Sequence, residues 1–225
     1  MKTDYEMLEE TALFRNLPHR DLTLIREKMS TRRFKKGEII LNEEDTNKYM
    51  YILLKGRVKA VQTTEEGREI VLGFHTSGDT FGEVSLIDGK TTQAQVIAVA
   101  DSLISIISKE EFYNLYHTHP KILDNLLNLL CSRFRENTDV IKMLNMNNAA
   151  QRLQMLFIKL VHSYGEPDQE GILLKLNLTH SDLANMASLT RETVTRIMNR
   201  WQKEGYIEVQ GRRIHIANSF IKKII

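Results

Sequence analysis

Apolar positions along the 225-residue chain follow two different periods, and the change between them divides the sequence. Residues 1–30 carry a short amphipathic pattern, Leu13, Phe14, Leu17, Leu22, Leu24, Ile25 and Met29 broken by Pro18, which predicts one or two small helices. From Phe34 to Ile107 the apolar residues gather into short, often β-branched runs at Glu38 to Leu41, Met50 to Leu54, Val58 to Val61, Ile70 to Phe74, Ala94 to Val99 and Leu103 to Ile107. Gly37, Gly56, Gly67, Gly78 and Gly89 punctuate them, so the segment is expected to be an antiparallel barrel or sandwich of short strands. Glu65-Glu66-Gly67-Arg68 is the clearest hairpin turn, because glycine supplies the positive φ such turns need.

After Ser108 the period becomes helical. Between Ile122 and Met146 neither Gly nor Pro interrupts it, and Leu123, Leu127, Leu130, Phe134, Asn137, Ile141 and Leu144 alternate spacings of four and three. That is the seam of a coiled coil with one polar position at Asn137, which predicts a dimerising helix. The competing assignment is a helix buried in its own core, and the lone seam Asn, a register-setting device, favours pairing. A second helix is expected at about Ala149 to Tyr164. Gly165, Pro167, Asp168 and Gly171 then read as a polar loop before a compact C-terminal unit starting near Ile172.

In that unit Thr179 to Gln202 divides into two helices around a turn at Ser188 to Thr190, a helix-turn-helix pattern. Val194, Ile197, Met198 and Trp201 fall on one face of the second helix and are expected to bury against Leu183, Met186 and Leu189. Arg191, Glu192, Thr195, Arg196 and Asn199 occupy the opposite face. Thr190 is placed as N-cap, so Arg191 and Glu192 stand in the first turn, the part of a recognition helix that enters the major groove. Arginine donates bidentately to guanine O6 and N7, and glutamate accepts from cytosine N4. The bland alternative is a solvated charged face on an ordinary helical hairpin. Against it, Tyr206 to Val209 and Arg213 to Ile216 read as a β-hairpin wing around Gln210-Gly211-Arg212, with basic residues where a phosphate backbone would run.

Composition narrows the setting. Apolar residues make up 42% of the chain, charged residues 27%, and only 3 are Pro, as expected of a packed protein rather than a disordered one. No apolar stretch approaches the ~18 residues of a membrane span and no secretory segment opens the chain, so no membrane partner and a cytoplasmic home are expected. The single Cys131 excludes an intramolecular disulfide, a cysteine-rich zinc site and an iron–sulfur cluster held by one chain. A net charge of +2 hides a local cluster, Arg191, Arg196, Arg200, Lys203, Arg212 and Arg213, which is the electrostatic footprint of nucleic-acid binding.

Leu189-Thr190-Arg191-Glu192-Thr193-Val194-Thr195-Arg196-Ile197 resembles the recognition helix of the catabolite activator (Crp/Fnr) superfamily of bacterial transcription regulators. Phe34-Lys35-Lys36-Gly37-Glu38, Tyr51-Ile52-Leu53-Leu54-Lys55-Gly56 and Gly78-Asp79-Thr80-Phe81-Gly82-Glu83-Val84-Ser85-Leu86 resemble its cyclic-nucleotide-binding β-roll, so the resemblance covers nearly the whole chain. It implies that Arg191, Glu192 and Arg196 read a TGTGA-type half-site, that Thr179 and Ser181 contact phosphate, and that Tyr164 to Gly171 lies where an activating surface meets RNA polymerase. The cAMP-binding members hold the cyclic phosphate with an Arg followed by a Ser, and here those positions are Thr92 and Gln93. Without that cation the resemblance does not imply cyclic-nucleotide binding in the usual way. Gly82, Glu83, Val84 and Ser85 remain to line a polar pocket, and the helix positions that reach the nucleotide base correspond to Asn137 and Thr138. The iron–sulfur branch needs several N-terminal cysteines that are missing. A haem- or redox-responsive regulator is the alternative, with His75, His117 and His119 as candidate axial ligands and Cys131 as a thiol; no metal site is expected and no cofactor is assigned.

The expectation is therefore an α+β chain: a cyclic-nucleotide-binding-like β-roll sensor over residues 1–120, a dimerisation helix over 121–146 and a winged helix-turn-helix over 147–225. It is expected to be a homodimeric regulator without enzymatic activity, to bind double-stranded DNA through Thr179, Ser181, Arg191, Glu192, Thr195, Arg196 and Arg212, and to act with RNA polymerase. Leu123, Leu127, Leu130, Phe134, Ile141 and Leu144 form the expected dimer interface. A small effector is expected at Gly82, Glu83, Val84, Ser85, Thr92, Gln93, Asn137 and Thr138, or none is needed. Two other classes fit the sequence less well. A ligand-binding module that reads no DNA is opposed by the Arg-Glu-x-x-x-Arg helix, and a cupin-type enzyme lacks the strand-borne His-x-His with a following carboxylate.

Overall fold

The computed structural model describes residues 4–67, 69–211 and 213–224. The chain divides into two compact units between Arg135 and Glu136. The first unit opens with α1 (Asp4–Glu9) and α2 (His19–Glu27), followed by β1 (Ser30–Phe34), β2 (Ile39–Leu41), β3 (Tyr49–Lys55), β4 (Arg57–Thr63), β5 (Glu69–Thr76) and β6 (Thr80–Phe81). Then come the short α3 (Glu83–Asp88), β7 (Gln95–Ala98), β8 (Ser102–Ser108), α4 (Lys109–Thr118) and the long α5 (Pro120–Leu144).

The eight strands form two four-stranded antiparallel sheets, ordered β1-β8-β3-β6 and β2-β7-β4-β5. Their inner faces enclose Leu41, Tyr51, Leu53, Val58, Phe81, Val96, Ile104 and Ile106. A second core lies beneath the helices, where Phe14, Leu22, Ile25, Ile52 and Phe112 meet Ile122 and Leu126 of α5. The start of α5 is thereby seated on the roll, and Pro120 opens it at a position where the missing N–H costs nothing. The expected runs became β2 to β5, β7 and β8. β1 was not legible, because Ser-Thr-Arg-Arg-Phe is mostly exposed and shows no alternation; its existence depends on pairing with β8 from Ser30↔Ile106 to Phe34↔Ser102.

The second unit carries α6 (Ala149–Tyr164), β9 (Gly165–Pro167), β10 (Gly171–Leu174), α7 (His180–Ala187), α8 (Arg191–Lys203), β11 (Ile207–Gln210), β12 (Arg213–Ala217) and α9 (Asn218–Ile224). Its sheet runs β11-β12-β10-β9. The segment read as a polar loop is thus a hairpin. Ile172 pairs with Pro167 on one side and Ile216 on the other, and Asp168 closes the turn by accepting from the N–H groups of Glu170 and Gly171, both at 2.9 Å. Glycine and proline hid these strands, and the pairing that holds β10 on its other side comes from β12, more than forty residues away.

Trp201 is the hub of this core. Its ring meets Phe157 edge-on at 5.4 Å and Phe220 at 4.8 Å, and Phe220 stacks on Tyr206 at 5.0 Å. Large-to-small truncation at such a position costs about 3–5 kcal/mol. Trp201→Ala is expected to lower the urea midpoint of the C-terminal unit accordingly, followed by far-UV circular dichroism because the chain has no other tryptophan to report fluorescence. A loss under about 1 kcal/mol would mean that the hub has another anchor.

Candidate nucleic-acid interface and ligand cavity

The interface is built by capping and burial. Thr179 and Asp182 form a reciprocal capping box at the start of α7, the Thr179 hydroxyl donating to Asp182 Oδ2 at 2.7 Å and accepting from its N–H at 3.1 Å. Ser188 closes α7 in the left-handed region at φ 51°, and its carbonyl accepts from Arg152 Nη1 at 3.1 Å. Thr190 then caps α8, accepting from the Thr193 N–H at 3.2 Å. With the turn fixed at both ends, Val194, Ile197, Met198 and Trp201 bury on one side.

On the other side Arg191, Glu192, Thr195, Arg196, Asn199, Arg200 and Lys203 line one open groove. The side chains of Arg191, Glu192 and Arg196 are exposed and make no hydrogen bond or ion pair to any described residue. Four cations and one carboxylate share this strip, so it attracts polyanions although the chain's net charge is only +2. Unpaired forked donors on a rigid helix have the chemistry of base-edge readout.

Two of the expected contacts have other commitments. The Thr179 hydroxyl gives its proton to Asp182, so it stabilises the helix start and has no proton for a phosphate. The Thr195 hydroxyl is half-buried, lying 2.8 Å from Nδ1 of His180 and 2.9 Å from the Arg191 carbonyl it donates to. Ser181 is exposed on the first turn of α7. Arg212 lies outside the described residues, while Arg213 is exposed at the start of β12. His180 is a participant that sequence reasoning missed, because its partner lies fifteen residues away on the next helix.

The second site lies wholly within the N-terminal unit, a cavity of about 220 Å³. Gly82, Glu83, Val84, Ser85, Thr92 and Gln93 line it as expected, joined by His75, Phe81, Asp88 and Arg133 among others. Gly82 turns the chain between β6 and α3 at φ 84°, and a Cβ there would stand 2.9 Å from both Asn47 Nδ2 and the Tyr51 ring. That turn drives Glu83 inward until it is 1% exposed. Arg133 of α5 reaches over it, donating through Nη1 to Glu83 Oε1 and through Nη2 to the Thr80 carbonyl. Glu83 Oε2 and Thr80 Oγ1 are buried with no partner among the described residues. Asn137 and Thr138 follow Arg133 on α5 but belong to the other unit.

Thr92 and Gln93 do not replace the missing cation. The Thr92 hydroxyl donates to the Asn42 carbonyl, and Gln93 is exposed at the rim. Arg133, the one cation among the described lining residues, is already paired with a carboxylate. The cavity is smaller than the roughly 300–1,000 Å³ of typical small-molecule sites, and Glu83 Oε2 in its lining is a buried acceptor without a partner among the described residues.

The sensing candidates stay apart. His75 stacks on Phe81 at 5.4 Å inside the cavity, His117 lies against Tyr116 at 4.5 Å, and His119 sits 3.7 Å from Asp21. Cys131 is exposed on α5. Among the described residues no three His, Cys, Asp or Glu side chains gather as a metal site. Burial first, and then the Arg133 guanidinium, push the His75 imidazole down from 6.5 to about 3. Below pH 6.5 the unfolded chain takes up a proton that folded His75 refuses, so stability should fall as pH drops from 6.5 toward 3. His75→Asn should flatten that limb in urea midpoints measured across the range, and an unaltered limb would contradict the placement of His75 as a neutral, half-buried ring in the cavity.

Comparison with known proteins gives one pattern. The cyclic nucleotide-binding domain matches residues 31–119 and the Crp-like helix-turn-helix domain matches residues 151–219. The chain is 30% identical over 183 residues to electron transport regulator A of Shewanella oneidensis, covering 81% of this chain and 73% of that protein. It is 29% identical over 185 residues to the fumarate and nitrate reduction regulatory protein of Salmonella typhimurium, covering 82% and 73%. The structure of FixK2 from Bradyrhizobium japonicum superposes with a TM-score of 0.76 at 20% identity, covering 87% of this chain and 95% of that one. No helix among the described residues is long and apolar enough to cross a membrane.

Proposed function

The chain belongs to the Crp/Fnr family of DNA-binding transcription regulators, which are not enzymes, and we propose that it works as a homodimer reading a TGTGA-like palindrome with α8. The observation that carries this reading is the exposed run Arg191, Glu192 and Arg196, free of partners among the described residues and held on a helix capped at its N-terminus. Arg191 and Arg196 are the guanine readers and Glu192 the cytosine reader, a division that follows from their donor and acceptor geometry. Ser181 and the wing residues Arg212 and Arg213 serve the phosphate backbone, fixing register without reading sequence.

The homodimer is supported by an apolar stripe that a monomer leaves in water. On α5, Phe134 is 74% exposed, Ile141 61%, Leu127 53%, Leu144 43% and Leu123 39%, at the spacing of a two-stranded seam. Leu130 is half-buried and packs partly on its own unit's core. In this reading residues 1–120 sense, 121–146 dimerise and 147–225 bind DNA, with two α8 helices brought to the ~34 Å spacing of successive major grooves. The regulator acts in the cytoplasm beside RNA polymerase. Its effector, where one is used, enters the β-roll cavity and acts through Asn137 and Thr138 of α5; it is not a cyclic nucleotide gripped by its phosphate, because Arg133 is engaged by Glu83.

Fluorescence anisotropy tests the reading. At one fixed salt concentration, the ligand-free protein should bind a palindromic TGTGA duplex more tightly than a scrambled one, and cAMP should leave the affinity unchanged. Arg196→Ala should cost about 1–3 kcal/mol on the palindrome and lose discrimination at a single guanine. Equal affinity for palindrome and scramble would overturn the proposed half-site, and rescue of weak binding by cAMP would overturn the account of the cavity.

A further inference from the structure

The His180–Thr195 contact is not explained by base reading as set out above, because the two side chains bond to each other across α7 and α8. Thr195 Oγ1 has a single proton, and the hydroxyl gives it to the carbonyl of Arg191 one turn earlier, at 2.9 Å. Its remaining lone pairs can only accept. With the hydroxyl so committed, the ring nitrogen 2.8 Å away, Nδ1 of His180, is the donor of the pair. The result is a relay with one direction: His180 Nδ1–H donates to Thr195 Oγ1, whose O–H donates to the Arg191 carbonyl.

This relay joins three fixed points. His180 is the first residue of α7, inside the Thr179–Asp182 capping box. Thr195 stands in the middle of α8. Arg191 is the first residue of α8, whose side chain opens the exposed strip. The two helices already share buried apolar contacts, but those resist separation better than they resist rotation or sliding of one helix on the other. A directional hydrogen bond at the rim supplies the missing constraint, since its strength falls steeply when the angle departs from linearity. A displacement of about 1 Å at a residue that must donate two parallel hydrogen bonds loses one of them.

We propose that His180 is a positioning residue for sequence recognition: through Thr195 it locks the first turn of α8 against α7 and thereby aims Arg191 at its base. This inference rests on the base-reading role of Arg191. It assigns Thr195 to the aiming apparatus, and it predicts a loss of selectivity rather than of general affinity when the relay is cut, because phosphate contacts made by other residues are untouched.

The test uses the full chain and three duplexes in anisotropy at fixed salt: the palindrome, the palindrome with the Arg191 guanine replaced, and a scrambled sequence. His180→Ala should reduce the ratio of affinities between the first two duplexes by roughly 10-fold, the size of one bidentate contact, with scrambled-duplex affinity and thermal midpoint held. His180→Asn places an amide nitrogen near the site of Nδ1 and should recover most of the ratio, whereas His180→Gln, whose amide reaches the site of Nε2 instead, should not. Thr195→Val should lose selectivity to the same degree as His180→Ala, and the double variant should be no worse than either one. An unaltered ratio in His180→Ala, an Asn variant no better than Ala, or additive losses in the double variant would each overturn the proposal. If the wild-type protein fails to distinguish the first two duplexes, the base-reading role of Arg191 falls instead, and that result is separate from any behaviour of the variants.

Discussion

Val194, Ile197, Met198 and Trp201 recur every three or four residues, and their burial decides what the C-terminal unit presents to its surroundings. A helix has one rotational setting in which that stripe faces Phe157 and Phe220, and in that setting Arg191, Glu192, Arg196 and Asn199 must point outward. The hydrophobic seat is non-directional, however, and fixes rotation only to the width of the stripe. Finer definition comes from polar contacts at its edges: the capping box at Thr179, the N-cap at Thr190, Arg152 on the Ser188 carbonyl, and the His180–Thr195 bond. Each one satisfies a backbone or side-chain group that a loose turn would leave to water.

The N-terminal unit solves a different problem, the burial of a carboxylate. Glu83 is forced inward by the left-handed Gly82, and an isolated ionised carboxyl at 1% exposure would carry a large desolvation cost. Arg133 offsets it, and in doing so ties α5 to the β6–α3 turn while removing the one cation that a phosphate in the cavity would need. The same contact thus joins sensor wall to long helix and sets the cavity's electrostatic preference. A fold that resembles a cyclic-nucleotide domain can in this way keep the pocket and change what the pocket attracts.

What the sequence reveals and what it conceals follow the range of the interactions. The helices α5, α6 and α8, the N-cap Thr190 and the buried stripe of α8 were legible because their causes lie within a few turns of the residues themselves. The strands β1 and β10 were not, since each pairs with a distant partner that overrides weak local propensity, and β9, which pairs with β10 alone, was masked by its glycine and proline. The same holds within the site. Arg191, Glu192 and Arg196 could be named from helical phase alone, whereas Arg133 is fifty residues from Glu83 and His180 fifteen from Thr195. Thr179, expected to contact phosphate, is also the N-cap of α7, a role that the Thr-x-x-Asp spacing already allowed.

The exposed stripe on α5 links the two units in sequence, because the boundary between them falls within the helix, after Leu123, Leu127, Leu130 and Phe134 and before Ile141 and Leu144. In the proposed dimer, pairing buries apolar groups at roughly 25 cal/mol per Å², but the seam is not uniform. Asn137 interrupts it two residues beyond the boundary, where burial without a partner amide would be costly and where pairing with the second copy's Asn would fix register. In the proposed dimer the apolar seam is therefore weakest at Asn137. Were an effector to alter the Arg133–Glu83 contact, one turn earlier, it would act next to that weakest stretch of the proposed seam.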